Sequence, residues 1–214
     1  DFAYEIGVKK TDLKAVAIPD PLSFKLSPLS LCKKKNQFLI VARFEESQKN
    51  LCSAMRIRKR FEERNDDYEL IVAGYGPDLN MVLNYAQSLQ IKRMRFIGKV
   101  QHPEELYKEA KFFLMTSTYE GLSMTLLECM QFGCIPIVYD SFSSVHDFIK
   151  SWENGVLVKF GQETEFVDAM IKLVSDNNLQ EQISKCSYEQ SQNYSIEKVG
   201  NKWIEFLNKI TNGK

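Results

Sequence analysis

Residues 37–43 of the chain are QFLIVAR, and residues 68–73 are YELIVA. Both runs are apolar almost without interruption, which predicts β-strands buried on both faces of a sheet. Between them, residues 49–64 carry Leu51, Met55 and Phe61 at helical spacing, with basic residues on the solvent face. A strand, a helix and a second strand in this order predict two parallel strands joined by a crossover helix.

The same alternation continues towards the carboxyl end of the chain. Strands are predicted at residues 94–97, 112–115, 135–139 and 156–158, and helices at residues 78–89, 103–110, 124–132 and 163–174. Strands that alternate with helices of about 10–15 residues predict an α/β fold, here a Rossmann-like parallel sheet with helices on both faces. Residues 179–192 and 196–210 differ, because they predict two consecutive C-terminal helices with no strand between them.

The first 36 residues do not follow this alternation. Residues 14–18 predict a short strand, and Pro19-Asp20-Pro21 predicts a stiff, non-helical connection. The chain begins at Asp1 rather than at Met, so we expect a fragment of a longer protein. We divide it into residues 1–36, the end of an N-terminal domain with an interdomain linker, residues 37–175, the sheet domain, and residues 176–214, the C-terminal helices.

The overall composition excludes several kinds of partner. Lys and Arg together number 28, as do Asp and Glu, so the net charge is zero. This balance argues against nucleic acid as a partner and against a polybasic membrane surface. The five cysteines show no CxxC spacing, which favours buried free thiols in a reducing cytoplasm. No apolar run reaches the ~18 residues that a membrane-spanning helix needs, and we predict no signal peptide.

Candidate ligand-binding residues follow the carboxyl ends of the predicted strands, where open parallel sheets bind ligands. Arg43 ends the first strand, and Lys49 begins the helix after it. With the free N–H groups of that helix they predict an electropositive corner suited to a diphosphate, although a solvated loop is also consistent. At a helix start Lys49 is unfavourable to the helix dipole, so its removal should not lower the stability of the unliganded protein.

Gly74 and Gly76 flank Tyr75 at the turn after the second strand. Glycines there permit a positive φ or the close approach of a ligand to the backbone. They do not form a dinucleotide fingerprint, because Leu79 stands where GxGxxG has its third glycine. A plain tight turn explains them equally well.

The densest polar segment is residues 116–128, TSTYEGLSMTLLE. A strand ends, Gly121 lets the chain turn, and a helix begins near Ser123, with Glu120 at its mouth and Glu128 two turns in. A capping interpretation is open: Ser123 as N-cap, Thr125 with Glu128 as a capping box, and Glu120 facing the helix dipole.

Together these segments resemble the C-terminal, donor-binding domain of the retaining glycosyltransferases of GT-B fold, family four (glycosyl transferases group 1). The resemblance rests on the E-x7-E pair Glu120 and Glu128, the Arg43…Lys49 pair, Ala73–Asp78, Phe96-Ile97-Gly98, Gly133–Val138 and Asn154–Val158. The segment Ile18–Pro21 looks like the interdomain linker, with Asp20 where Asn is more usual.

The resemblance implies a role for each site residue. Glu128 would accept hydrogen bonds from the ribose diol, and Glu120, the expected catalytic residue, would face the donor sugar. Arg43 and Lys49 would hold the diphosphate, aided by the backbone N–H groups of Gly121, Leu122, Ser123 and Met124. The nucleobase would lie against the backbone around Ile97 to Lys99, and Gly74 and Gly76 would also belong to the donor site. Residues 37–175 are then the nucleotide-sugar-binding domain.

The resemblance also implies the reaction: transfer of a hexosyl group from a nucleotide sugar, expected to be a UDP-sugar, with no metal and no other cofactor. The acceptor would be a glycan or lipid-linked glycan of bacterial surface polysaccharide. It would bind a missing N-terminal domain, the only part expected to associate peripherally with a membrane. Two alternatives stay open: an epimerase-like GT-B relative, and a non-catalytic nucleotide-binding module.

Overall fold

The apolar runs of the sequence form the strands of one parallel sheet. The protein is described here from a computed structural model, which describes residues 16–24 and 34–212. The strands are β1 (Lys35–Arg43), β2 (Glu69–Tyr75), β3 (Met94–Gly98), β4 (Ala110–Met115), β5 (Ile135–Asp140) and β6 (Val156–Lys159). Their order is β3-β2-β1-β4-β5-β6, and every neighbouring pair is parallel.

Helices connect the strands and cover the sheet. Within the described residues they are α1 (Glu46–Lys49), α2 (Leu51–Glu62), α3 (Leu79–Ser88), α4 (Glu104–Glu109), α5 (Met124–Gln131), α6 (Val145–Phe148), α7 (Glu163–Ser175), α8 (Asn177–Ser191) and α9 (Ile196–Asn212). Helix α2 packs with α3 and α7, and α5 packs with α4 and α8. These two groups cover the sheet, so the predicted Rossmann-like α/β fold is confirmed.

The core forms where the buried strands meet the apolar faces of the helices. Phe38, Leu39 and Ile40 at the centre of β1 are almost completely buried. The Phe38 ring contacts Phe61 of α2 and Phe112 of β4, with ring centroids 5.0 and 5.2 Å apart. The run QFLIVAR is therefore continuously apolar because β1 is a central strand with helices on both sides.

Three local predictions differ from the structure. The helix expected to begin at Lys49 is interrupted by Asn50, whose φ of 49° is left-handed, so that the segment forms α1 and α2. The short helix α6 lies between two predicted strands, in a segment for which no helix was predicted. The predicted strand at 14–18 lies partly outside the described residues, and residues 16–18 form no strand because they pair with none in the described part of the chain.

The chain divides by its contacts into two units, Phe24–Gln192, and Asp1–Ser23 with Asn193–Lys214. In the first unit α8 packs on α5, α7 and β5. In the second unit the Leu22 N–H donates to the Tyr194 carbonyl at 2.8 Å. The predicted functional division at residues 36 and 175 stays a prediction, and the contacts group residues 177–191 with the sheet.

Candidate functional site

The candidate site lies where the chain reverses its direction across the sheet. From β1 the chain proceeds to β2 and β3 on one side, and it then returns to β4 on the other side of β1. Ligands of open α/β sheets bind in the crevice at the carboxyl ends of two such strands. The segments after β1 and β4 contain Arg43, Lys49, Glu120 and the start of α5, so the fold brings these predicted residues to one crevice.

Lys49 and Glu120 form an ion pair across this crevice. The Lys49 Nζ lies 2.6 Å from Glu120 Oε1, and their side chains are only 17% and 8% exposed. The Ser117 hydroxyl donates to the same carboxylate at 2.7 Å, and the Gln48 amide donates to it at 3.4 Å. Two groups predicted to contact different parts of the donor are therefore bound to each other in this structure.

Hydroxyl side chains connect the loops that carry these charges. The Thr116 hydroxyl donates to the carbonyls of Lys49 and Asn50, and the Thr118 hydroxyl donates to the carbonyls of Ser47 and Gln48. On the other side, Ser141 donates to the Ser117 carbonyl and Ser144 to the Gly121 carbonyl, both at 2.6 Å. The loops after β1, β4 and β5 are thus fastened together.

Two adjoining cavities open at the crevice. The smaller, of about 20 Å³, is lined by Lys49, Glu120 and Thr125 among others and has room for about one water molecule. The larger is a groove of about 270 Å³. Its lining comprises Val41, Ala42, Arg43, Ala73, Gly74, Tyr75, Lys99, Val100, Pro103 and Thr125. Val41, Ala42 and Thr125 line both cavities, so the groove and the ion pair adjoin.

Two cations line or approach the groove. Arg43 is 67% exposed and lies 3.5 Å from the Glu45 carboxylate. The Lys99 Nζ lies 4.8 Å from the ring centre of Tyr75, a cation–π contact. The sequence analysis assigned no role to the Tyr75 and Lys99 side chains. The sequence signal for these two side chains is an aromatic residue between two glycines and a lysine directly after the Phe-Ile-Gly motif.

Gly74 and Gly76 serve the packing of β2 against β1. Gly74 has a φ of +142°, and a Cβ there would lie 1.8 Å from the Ala42 carbonyl oxygen. A Cβ on Gly76 would lie 2.2 Å from the Phe44 carbonyl oxygen. The backbone that approaches these two glycines closely is therefore that of β1 and the residue after it. Gly121 differs, since it has no positive φ and open space around its Cβ position.

The predicted electropositive corner is wrong in one respect. Lys49 ends α1 instead of beginning a helix, and the Glu46 carboxylate accepts the Cys52 N–H at the start of α2 at 3.0 Å. The Glu46 N–H in turn donates to Asp78 at 2.8 Å. A carboxylate of the protein itself thus occupies the amino terminus of α2, because the left-handed Asn50 lets the chain fold back.

The amino terminus of α5 is arranged differently. The N–H groups of Gly121, Leu122, Ser123 and Met124 donate no hydrogen bond to any residue that the structure describes. Ser123 stands at the N-cap position, but its hydroxyl lies 3.6 Å from Met115 Sδ and forms no cap. These four N–H groups are therefore free to bind an anion, and that this anion is the diphosphate stays a prediction.

Glu128 is held by a residue that the sequence analysis did not identify. Its Oε2 accepts a hydrogen bond from the Tyr107 hydroxyl of α4 at 3.0 Å. Burial raises the pKa of the Glu128 carboxyl above its ordinary value, and the Tyr107 hydrogen bond partly opposes this rise. The capping-box interpretation is wrong, because Ser123 is the N-cap and Thr125 stands two positions into the helix. Ile97 is half-buried in β3 and is not among the residues that line the groove.

Over residues 16–24 and 34–212, no three His, Cys, Asp or Glu side chains come together as a metal site would require. In the same residues, no helix has the length and apolar composition needed to cross a membrane. Cys52, Cys129, Cys134 and Cys186 are free thiols.

The model of one family, described as glycosyl transferases group 1, matches residues 26–190. The chain belongs to this family. The group 1 glycosyltransferase chain is 25% identical over 210 residues to a GalNAc-alpha-(1->4)-GalNAc-alpha-(1->3)-diNAcBac-PP-undecaprenol alpha-1,4-N-acetyl-D-galactosaminyltransferase of Campylobacter jejuni, and this match spans 98% of the chain and 57% of the relative. It spans about half the length of the curated relatives it matches.

Solved structures show the same fold, that of the GT-B glycosyltransferases. The apo form of the lipopolysaccharide outer core galactosyltransferase WaaB has a TM-score of 0.78 and 24% identity, covering 99% of this chain and 58% of that one. The pneumococcal O-GlcNAc transferase GtfA, in complex with UDP and GlcNAc, has a TM-score of 0.78 and 16% identity, covering 98% of this chain and 43% of that one. The predicted resemblance to the family and its fold is confirmed.

Proposed function

We propose that this group 1 glycosyltransferase chain is the donor-binding part of a retaining hexosyltransferase that uses a nucleotide sugar, specifically a UDP-sugar. Its acceptor is a glycan or lipid-linked glycan of bacterial surface polysaccharide or lipopolysaccharide, bound by a separate N-terminal domain of the longer protein. Transfer takes place on the cytoplasmic side of the membrane. The GtfA structure, which contains UDP and GlcNAc, supports this choice of nucleotide.

One observation carries the proposal: a groove with Arg43 at its wall adjoins the Lys49–Glu120 pair at the switch point of the sheet. The free N–H groups of residues 121–124 belong to the loop that carries Glu120 and to the first residue of α5. The diphosphate lies between Arg43, Lys49 and these N–H groups, Glu128 binds the ribose, and Glu120 faces the sugar. The nucleobase lies near Ile97, Tyr75 and Lys99, at the far end of the groove.

The same arrangement supplies the chemistry of leaving-group departure. When the bond from the anomeric carbon to the diphosphate breaks, negative charge grows on the diphosphate oxygens. Fixed cations and backbone N–H groups stabilise this charge, and they do so more strongly once water is excluded. We therefore propose that transfer needs no divalent metal. In a retaining reaction the acceptor attacks the face from which the diphosphate leaves. We place Glu120 in contact with the sugar, at this reacting carbon.

Nucleotide binding to this chain tests the proposal directly. In EDTA, UDP at about 100 times its Kd should stabilise the fold by about 2.7 kcal/mol, which raises the melting temperature by about 2–4 °C per kcal/mol. Arg43→Ala should weaken UDP binding. Arg95→Ala is the matched control, because Arg95 is similarly exposed and pairs with Glu69 outside the groove.

Three outcomes would count against the proposal. Stabilisation that needs Mg²⁺ or Mn²⁺ would refute the metal-free site. Equal UDP affinities of the Arg43 and Arg95 variants would exclude the groove as the UDP-binding site. Stabilisation by neither UDP nor GDP would refute donor binding altogether. Retention itself is tested in the longer protein, where the anomeric configuration of the product must match that of the donor.

A further inference from the structure

Tyr107 is a completely buried side chain whose hydroxyl contacts the predicted ribose-binding residue Glu128. Its ring stacks on Phe132, with centroids 6.0 Å apart and an angle of 15°, and its edge contacts Phe113. Its backbone carbonyl accepts a hydrogen bond from Lys34 Nζ at 2.8 Å. Held at both the ring and the backbone, the hydroxyl donates to Glu128 Oε2 at 3.0 Å.

The hydrogen bond from Tyr107 replaces water that the Glu128 carboxylate loses when it is buried. No other hydrogen bond to its carboxylate is present in the described part of the chain. The titratable groups that face it are Tyr107 and Glu104 from α4 and Cys129 from its own helix. Burial raises the pKa of Glu128, Glu104 raises it further, and only Tyr107 lowers it. Burial also raises the pKa of Cys129, so that thiol stays neutral.

We infer that Tyr107 is a positioning residue, which orients the Glu128 carboxylate and holds it in the charged form that binds the ribose diol of the donor. This inference rests on the proposed function. A charged acceptor binds a diol more strongly than a neutral one, because charge-assisted hydrogen bonds are roughly twice as strong. A group fixed in one rotamer also loses less entropy when the ligand arrives.

Tyr107→Phe removes the hydroxyl and keeps the ring packing. Calorimetry with UDP at pH 7 should then show a loss of affinity of about fivefold to tenfold. Tyr139→Phe is the matched control: Tyr139 is also completely buried, and its hydroxyl pairs with Ser53 at 3.1 Å, away from Glu128. Both variants lose one buried hydroxyl, but only the first should lose UDP affinity.

The pH profile separates positioning from a packing defect. Binding needs ionised Glu128, so UDP affinity should fall as pH drops through the raised pKa of this carboxyl. Tyr107 stabilises the ionised form, so in Tyr107→Phe the pKa rises and the fall in affinity begins at a higher pH. A variant that is merely destabilised keeps the midpoint of the wild type, and this result would overturn the inference.

A double-mutant comparison tells failure of the inference from failure of the proposed function. If Tyr107 acts through Glu128, Tyr107→Phe should change UDP affinity little in a Glu128→Gln background. If Glu128→Gln weakens UDP binding but Tyr107→Phe does not, Tyr107 has no positioning role and the proposed function stands. If the wild type does not bind UDP, both fall. Should Tyr107→Phe melt too low for calorimetry at 25 °C, the same pH titration is run at a lower temperature, where a midpoint equal to that of the wild type overturns the inference.

Discussion

Glu120 is a buried carboxylate whose charge is balanced by one cation, Lys49. Under the proposed function, the donor would replace the ion pair with contacts of its own: the diphosphate to Lys49 and the sugar hydroxyls to Glu120. The Ser117 and Gln48 hydrogen bonds keep Glu120 in place while its cation is shared. Both residues were predicted to lie at one site, but their mutual contact was not predicted, and the role of each stays a prediction.

Lys49→Ala should therefore lower the stability of the unliganded protein, contrary to the expectation from a helix start. Removing one partner of a largely buried pair leaves an uncompensated charge, at a cost of about 2–4 kcal/mol. Thermal melting should show a loss of several degrees. Lys35→Ala is the control, since Lys35 and Glu109 form an exposed pair whose loss costs below about 0.5 kcal/mol. Equal melting temperatures for the two variants would contradict this account.

Unlike Lys49→Ala, the variant Glu128→Gln should not lower the stability of the unliganded protein. The pKa of Glu128 in the fold is raised above its unfolded value, so its ionised form is disfavoured by folding at pH 7. The amide should thus be neutral or stabilising at pH 7, and this gain should disappear as pH falls towards 4. UDP affinity should decrease by about 1–3 kcal/mol. Melting curves at both pH values and calorimetry measure the two effects.

At the scale of elements, the turn after β2 is shaped by β1. At the paired residues Ala42 and Gly74 the two strands lie so close that no side chain fits at position 74. Gly74→Ala should cost about 3 kcal/mol or more, from steric overlap and a positive φ. Gly121→Ala meets open space and should change stability by less than about 0.5 kcal/mol. A melting experiment on both variants distinguishes a packing glycine from one that faces solvent; similar losses would refute the distinction.

The strands and long helices were predictable because each buries a repeating apolar pattern. The run at 37–43 and the helix at 163–174 required only hydrophobicity and periodicity. The short helix α1 was not predictable, because it depends on the left-handed backbone of Asn50 and on the hydrogen bond from the Cys52 N–H to Glu46. Nor was the Tyr107–Glu128 contact, because two elements must first pack before the hydroxyl meets the carboxylate. Motifs located the site, but the partners of its charges come from tertiary structure.

At the scale of the whole molecule, α8 belongs to the same unit as the sheet, although it follows α7 with no strand between the two helices. Ser187 of α8 donates to the Cys134 carbonyl at 3.0 Å, Gln180 donates to the Leu173 carbonyl at 2.8 Å, and Ile183 is completely buried. The helix therefore both fills the core and satisfies carbonyls of α7 and of the residue before β5. On α9, the apolar residues Trp203, Leu207 and Ile210 are about half exposed.

Truncation of the chain tests this grouping. A chain ending at Ser175 should lose its cooperative melting transition, because the apolar surface under α8 and several buried carbonyls become exposed. A chain ending at Gln192 should keep a cooperative transition. Calorimetric melting of the two truncated chains decides between them. Cooperative melting of the shorter chain would show that α8 is dispensable for folding.

The hydroxyl groups of Thr116 and Thr118 make the loops after β1 and β4 a single mechanical part. We therefore expect Lys49 and Glu120 to move together, so that under the proposed function any closure over the donor would turn at the strand ends, outside these loops. A change at Thr118, which touches neither charge, would loosen both at once. In directed evolution of donor preference, such threonines are the positions to keep constant.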